Sequence, residues 1–308
     1  MDLTVELTGK RHTLSLKNPI LTASGTFGYG LEFAPYGDLA KLGGFIVKGL
    51  SLTPRPGNPS PRIVETTAGM LNAVGLQNDG VEAFLEKTLP NLPHGETAVI
   101  CNIYASSVED FAKLAQRLDT VPGIAAIEVN ISCPNVRQGG ILFGQDPTLA
   151  SEVTSAVCEA APNTFIIVKL SPNVTNIATI AESVSQAGAD AISCINTLLG
   201  MSIDYKTRRP RLANVVGGLS GPAIKPVALR CVWQVASAVT IPVIGVGGIT
   251  SVEDILEFII AGAHAVQIGT ANFLDPRTAF RLVEQLPERC QSLGIEDIRA
   301  LRASLILE

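Results

Sequence analysis

Eight short apolar runs, each followed by a segment with helical periodicity, recur along the chain and limit what it can fold into. They occupy residues 20–24, 44–48, 98–102, 125–130, 165–169, 191–196, 242–246 and 265–269. Runs that are apolar on both faces suit parallel strands covered by helices rather than half-exposed antiparallel ones. Eight such units with none left over predict an α/β fold, a closed (β/α)8 barrel of the TIM type, spanning 1–308 as a single domain. An open doubly wound sheet is the alternative. Its dinucleotide-binding variant wants G-x-G-x-x-G after the first strand, and Gly25-Thr26-Phe27-Gly28 lacks that spacing.

Residues 3–7 and 12–16 alternate apolar and polar around Thr8-Gly9-Lys10, which predicts an N-terminal β-hairpin capping one end of the barrel. Helices are expected over 31–42, 81–89, 108–118, 147–161, 177–187, 222–238, 252–262 and 276–286, with a short helical tail. Ser107 and Ser251 stand at N-cap positions, Pro147 in a first turn and Gly188 at a helix stop. The stretch holding Pro54, Pro56, Pro59 and Pro61 is expected to run on to residue 78 as a long loop. A second long loop precedes residue 222. Its basic run, Lys206-Thr207-Arg208-Arg209-Pro210-Arg211, has no interleaved aromatics and is expected to be solvated surface.

Composition closes off several classes of function. Hydrophobic residues make up 46% of the chain and charged ones 17%, which suits a buried core and not disorder. A net charge of −5 gives no electrostatic case for nucleic acid. No apolar run approaches the roughly 20 residues of a membrane span. The opening MDLTVELTGKRHTLSL has the layout of neither a signal peptide nor a membrane anchor. Six cysteines lie at 101, 133, 158, 194, 231 and 290, so no CxxC or iron–sulfur spacing exists. Free thiols in a cytoplasmic chain fit this better than a disulfide scaffold. His12, His94 and His264 are too scattered for HxxxH or HExxH, and no metal site is expected.

In a barrel the carboxyl ends of all strands meet on one face, the face that carries active sites. The predicted ends are Ser24, Lys48, Asn102, Asn130, Lys169 and Asn196, then Gly247-Gly248 and Gly269-Thr270. One polar strand end is ordinarily a cap or a solvated tip. Six in register, with two ammoniums and three amides among them, predict a binding mouth. A buried ammonium needs a partner, which an anion or an electron-rich ring would supply. The glycines after the seventh and eighth strands sit where barrels bind phosphate, with Gly221 as a further contact. Cys133 follows Asn130 in the segment EVNISCPN. Free cysteines are usually packing, but at a mouth this one becomes a candidate nucleophile or a general base with a pKa near ~8.5. No His lies near it in sequence, which favours the base. Gly139, Gly140 and Gly144 make the loop after it a candidate lid. A phosphate-binding barrel isomerase or lyase, and a non-enzymatic electron-transfer or scaffold subunit whose mouth is vestigial, are two readings these residues leave open.

Several longer segments carry a resemblance: ASGTFGYG at 23–30, KGLSLTPRPGNPSPR at 48–62, GMLNAVGLQN at 69–78, EVNISCPNVRQGGILFG at 128–144, CINT at 194–197, GGLSGPAIKP at 217–226, GVGGI at 245–249 and QIGTANF at 267–273. Over nearly its whole length the chain resembles the dihydroorotate dehydrogenases, and within them the NAD-linked class 1B catalytic subunits. The resemblance implies oxidation of (S)-dihydroorotate to orotate, a step of de novo pyrimidine (UMP) biosynthesis, on one FMN per chain. It implies that Ser24, Lys48, Gly49, Asn102, Asn130, Lys169 and Ile195 line the flavin. Gly221, Gly247, Gly248, Gly269 and Thr270 would hold its ribityl phosphate. Substrate would lie against Lys48, Asn72, Ala73, Val74, Gly75, Leu76, Asn130, Asn196 and Thr197. Cys133 would take the proton from carbon 5 while the hydride on carbon 6 passes to the flavin, with Lys169 stabilising the reduced ring. The membrane-bound class 2 enzymes use serine in that place and carry an N-terminal membrane segment. The class 1A enzymes use fumarate, and the segments at 69–78 and 135–144 look more like class 1B. Electrons would then leave through a second subunit carrying FAD and a 2Fe-2S cluster to NAD. The implied assembly is a heterotetramer of two catalytic and two electron-transfer subunits, built on a homodimer of catalytic chains.

Overall fold

The structure, a computed structural model, describes residues 2–132 and 143–307. The chain opens with antiparallel strands β1 (Val5–Thr8) and β2 (Thr13–Leu16), whose alternation buries Val5, Leu7, Leu14 and Leu16 on one face. Next come β3 (Ile20–Thr22) and β4 (Gly44–Ile46), a hairpin of β5 (Ile63–Thr66) and β6 (Gly69–Asn72), then β7 (Ala98–Ile103), β8 (Ala126–Asn130), β9 (Phe165–Leu170) and β10 (Ala191–Cys194). An excursion follows, made of β11 (Leu198–Met201), β12 (Ile203–Asp204), β13 (Arg209–Pro210) and β14 (Val216–Ser220). Strands β15 (Val243–Val246) and β16 (Ala265–Ile268) complete the set.

Strands β3, β4, β7, β8, β9, β10, β15 and β16 pair in parallel in that order, and β16 returns to β3 to close the barrel. The eight expected strands are all present, each within two residues of its predicted ends. Helices α1 (Val81–Ala83), α2 (Val108–Leu118), α3 (Pro147–Ala160), α4 (Ile177–Gln186), α5 (Lys225–Ala238), α6 (Val252–Ile260), α7 (Ala271–Leu274) and α8 (Thr278–Ser292) follow the chain order. Ser107 Oγ accepts from Asp110 N at the start of α2, and Ser251 forms a capping box with Asp254 at the start of α6. One apolar layer, including Phe45, Val99, Ile127, Val168 and Val266, fills the space between barrel and helices. A second layer lies inside the barrel near the strand starts. There Leu21, Ile46, Ile100, Ile167 and Ile244 meet Val5, Leu7, Leu14 and Leu16 of the hairpin, which floors the barrel as expected.

Three expectations are corrected. Residues 31–42 form two 3-10 turns, Leu31–Tyr36 and Leu39–Lys41, because Pro35 removes a helical donor and Gly37 breaks the run. The two long loops are not structureless. They supply β5, β6, β11 and β14, a four-stranded antiparallel sheet in the order β11-β14-β6-β5. Gly69, Gly200, Gly217 and Gly218 interrupt the apolar alternation that would have marked these strands. The basic run lies on the β12–β13 ribbon and is exposed. Finally, α8 runs on through Pro287 to Ser292, past its expected end.

Candidate active site

Parallel strands of near-equal length bring their carboxyl ends to one face, so the predicted strand-end residues meet there. Asn102 on β7, Glu128 on β8, Lys169 on β9, Ser193 on β10 and Gln267 on β16 point into the barrel and form one buried polar cluster. Glu128 Oε1 accepts from Asn102 Nδ2 at 2.8 Å and lies 3.5 Å from Lys169 Nζ. Its Oε2 accepts from Gln267 Nε2 at 2.7 Å and Ser193 Oγ at 2.9 Å. Asn102 Oδ1 and Gln267 Oε1 are buried without a hydrogen-bond partner.

Above this cluster sit the amides of the rim. Asn130 Oδ1 accepts from Asn196 Nδ2 at 3.2 Å and from Ser132 N at 3.2 Å, so neither bond uses the Asn130 amide nitrogen. Asn196 Oδ1 in turn accepts from Thr197 N at 2.8 Å. Gly218 lies so close to Thr197 that a Cβ on it would stand 2.1 Å from Oγ1, and Gly218 O accepts from Asn72 Nδ2 at 3.4 Å. The antiparallel sheet thus carries Asn72 over to Asn196 and Thr197, a role that the sequence reading of a plain loop missed. From Asn72 the chain turns through Ala73, Val74, Gly75 and Leu76. Gly75 and Leu76 both have positive φ, 79° and 57°, and Leu76 Cδ2 lies 3.8 Å from the Cβ position of Gly49. A bulky residue in that region stores local strain.

Gly49 also brings the chain against Asn102, whose Oδ1 lies 2.9 Å from where a Cβ would be. Lys48 beside it is half-buried, and no salt bridge among the described residues engages it. Burial, and then the Arg62 guanidinium, push its pKa below the ordinary lysine value. Ser24 donates to Val47 O at 2.9 Å, and buried Ile195 bonds through its N–H to Val246 O at 3.0 Å.

Across the mouth, Gly221, Gly247 and Gly248 have φ of 94°, 135° and 75°. A Cβ on Gly248 would stand 2.9 Å from Gly221 O and 2.8 Å from Lys225 Cβ. A Cβ on Gly221 would lie 3.5 Å from Thr270 Cγ2, and one on Gly269 3.5 Å from Ala23 Cβ. The loops at Gly221 and Gly248 are therefore packed backbone to backbone, in conformations that favour glycine, with the Thr270 methyl beside them. Behind them Lys225 pairs with Asp254 and, at 2.9 Å, with Glu257.

Cys133 and most of the candidate lid lie outside the described residues. The other five cysteines are free and buried. Burial pushes the Cys158 thiol up to about 11 and raises Cys101 and Cys194 well above the ordinary thiol value, which disfavours their thiolates. Glu128, Ser193 and Gln267 were not singled out by sequence reasoning. The available signal was a carboxylate and a carboxamide in runs that are otherwise buried and apolar.

The donor set suits a flat ring bearing amide-like groups and a phosphate tail. The orphaned Asn102 Oδ1 needs a donor, Lys48 needs an anion or ring, and the glycine loops form a close backbone cradle.

The family profile of Dihydroorotate dehydrogenase matches residues 5–290. A curated relative from Solidesulfovibrio magneticus, named dihydroorotate dehydrogenase B (NAD(+)), catalytic subunit, is 62% identical over 305 residues, which is 99% of this chain and 98% of its own. Another of the same name, from Maridesulfovibrio salexigens, is 58% identical over 307 residues, covering 100% and 99%. Among solved structures, a DHODH from Eimeria tenella in complex with ferulenol superposes with a TM-score of 0.81 at 21% identity, covering 98% of this chain and 88% of that one. At that identity the likeness speaks for the fold.

Proposed function

The chain belongs to the dihydroorotate dehydrogenase family, as an oxidoreductase catalytic subunit of the NAD-linked type, and from that premise we propose that it oxidises dihydroorotate on one FMN held in the barrel mouth. The observation that carries this reading is the convergence of Lys48, Asn102, Asn130, Lys169 and Asn196 opposite a glycine cradle. Ser24, Lys48, Gly49, Asn102, Asn130, Lys169 and Ile195 would line the ring. Gly221, Gly247, Gly248, Gly269 and Thr270 would hold the phosphate. When bound, FMN supplies the acceptor for the hydrogen and two electrons that leave carbon 6 of the substrate.

The chain's own groups do the rest. Cys133 takes the proton from carbon 5, which the neighbouring carbonyl acidifies. Lys48, whose charged form is disfavoured until an anion arrives, answers the substrate carboxylate. Asn72, Asn130, Asn196 and Thr197 match the donors and acceptors of the substrate ring, while residues 73–76 close against it. Lys169, buried among the inward-facing polar groups, would supply positive charge to the bound ring. Among the described residues no helix is long and apolar enough to cross a membrane. A separate subunit with FAD and a 2Fe-2S cluster would carry the electrons to NAD, in a two-plus-two assembly on a homodimer of catalytic chains.

The purified chain should show flavin absorbance that bleaches on anaerobic mixing with dihydroorotate. Cys133→Ala should keep the flavin and slow that bleaching by roughly two to four orders of magnitude, the usual worth of a general base. In the wild type the rate should rise with pH towards about 8.5, the ordinary thiol value. Near-wild-type bleaching in Cys133→Ala would refute the base, and NAD reduction by this chain alone would refute the need for a partner.

A further inference from the structure

Glu128 is fully buried on β8 just beneath the rim, and the reaction as described gives it no role. Its four partners, Asn102 Nδ2, Gln267 Nε2, Ser193 Oγ and Lys169 Nζ, all donate or carry positive charge. That set fits a carboxylate. It misfits a carboxamide, whose NH2 would face another donor. Two consequences reach the mouth. Lys169 has its charge partly answered from below, at 3.5 Å. Asn102 spends its NH2 on Glu128, so it presents Oδ1, buried and unpartnered, beside Gly49.

We infer that Glu128 is a positioning residue that sets the electrostatics of the flavin site: it offsets the Lys169 ammonium under the ring and fixes Asn102 as an acceptor. The inference rests on the flavin reading. A reduced flavin is more negative than an oxidised one, and charges interact strongly in a site screened from water. A carboxylate below the ring therefore holds the reduction potential down, and removing it leaves Lys169 unopposed.

Sulfite reads this directly, because it adds to oxidised flavin to give an anion. FMN-loaded Glu128→Gln should bind sulfite at least about tenfold more tightly, the effect of one unit of differential charge stabilisation, and its midpoint potential should move positive. Gln267→Leu strips a donor from the carboxylate and leaves its charge less answered, so sulfite should bind more weakly. A hub that acts only by packing predicts the same direction for both variants. If Glu128→Gln does not retain FMN, the direction in Gln267→Leu decides: weaker sulfite binding supports the inference, and unchanged or tighter binding overturns it. Unchanged sulfite affinity and potential in a fully loaded Glu128→Gln would also overturn it while leaving the flavin reading intact. A wild-type chain that takes up no FMN would remove both.

Discussion

The two ends of the barrel each bury a carboxylate completely, and they satisfy it in opposite ways. At the floor, Asp190 accepts from the backbone N–H groups of Arg11, His12 and Ile166 at 2.8, 3.3 and 3.0 Å, and from Arg11 Nη2 at 3.0 Å. The same guanidinium also donates to the carbonyls of Cys158, Ala161 and Thr164, tying the hairpin to the end of α3 and the start of β9. Near the mouth, Glu128 is held by side chains alone. Backbone partners are fixed by the fold and have nothing left to offer a ligand. Side-chain partners carry a second polar atom, and two of those, on Asn102 and Gln267, stay unspent. The floor uses its charge to hold the barrel shut. The mouth arranges its charge so that something else must complete it.

If that division is right, Asp190→Asn should produce the largest loss of stability and leave the flavin site alone. Removing one member of a buried pair strands the other, at a cost of about 3–5 kcal/mol. Arg11 keeps 23% of its side chain exposed, so the lower end applies. Chemical denaturation should show the loss, while FMN affinity measured well below the unfolding transition should match wild type. A parallel loss of FMN affinity would break the distinction between floor and mouth.

The same contrast explains what the sequence made legible. The eight barrel strands are uninterrupted apolar runs such as 165–169, and burial on both faces leaves that pattern little freedom. The strand ends Lys48, Asn102, Asn130, Lys169 and Asn196 followed from counting strands, since topology alone brings them together. The sheet of β5, β6, β11 and β14 was hidden. Three of its strands, β6, β11 and β14, bear glycine, and the pairing that joins its two halves links residues far apart in the chain, as when Gly218 pairs with Asn72. Glu128 was hidden for another reason: its partners sit on four other strands, and no local pattern announces them.

A smaller effect should come from the cradle. Gly248→Ala places a methyl 2.9 Å from Gly221 O and Lys225 N, at φ 75°. Left-handed backbone costs a non-glycine residue roughly 1–2 kcal/mol, and the backbone neighbours have no room to give. FMN affinity should fall at least about tenfold, whereas riboflavin, which has no phosphate, should bind as it does to wild type. Equal losses for both would place the phosphate elsewhere.

On the floor side, His264 precedes β16 and accepts from Val243 N at 3.3 Å. Burial, with help from Arg302, lowers its pKa from 6.5 to about 4. The unfolded chain therefore takes up a proton near pH 6.5 that the folded chain refuses until near pH 4. Stability should be level above pH 6.5 and fall by about 1–2 kcal/mol as pH drops towards 4, partial exposure reducing the full linkage value. His264→Asn should flatten that slope in denaturation curves without touching flavin absorbance.

The smallest effects separate the cradle from the rest of its own face. Ser107 and Ser251 cap α2 and α6 in the same way, each accepting from a backbone N–H at 3.2 Å, and either alanine variant should cost about 1 kcal/mol. Their surroundings differ. Asp254, which completes the Ser251 capping box, also accepts from Thr250 N at 2.7 Å and pairs with Lys225 behind Gly248. Loosening that carboxylate frees the loop that would carry the phosphate. Ser251→Ala should therefore speed FMN release by roughly threefold, about half of the 1.4 kcal/mol that a tenfold change represents. Ser107→Ala, with the same loss of stability, should leave release unchanged. Equal release rates in the two variants would mean that the cradle is held by its glycines alone, and that the Lys225–Asp254 pair serves only to fasten α5 to α6.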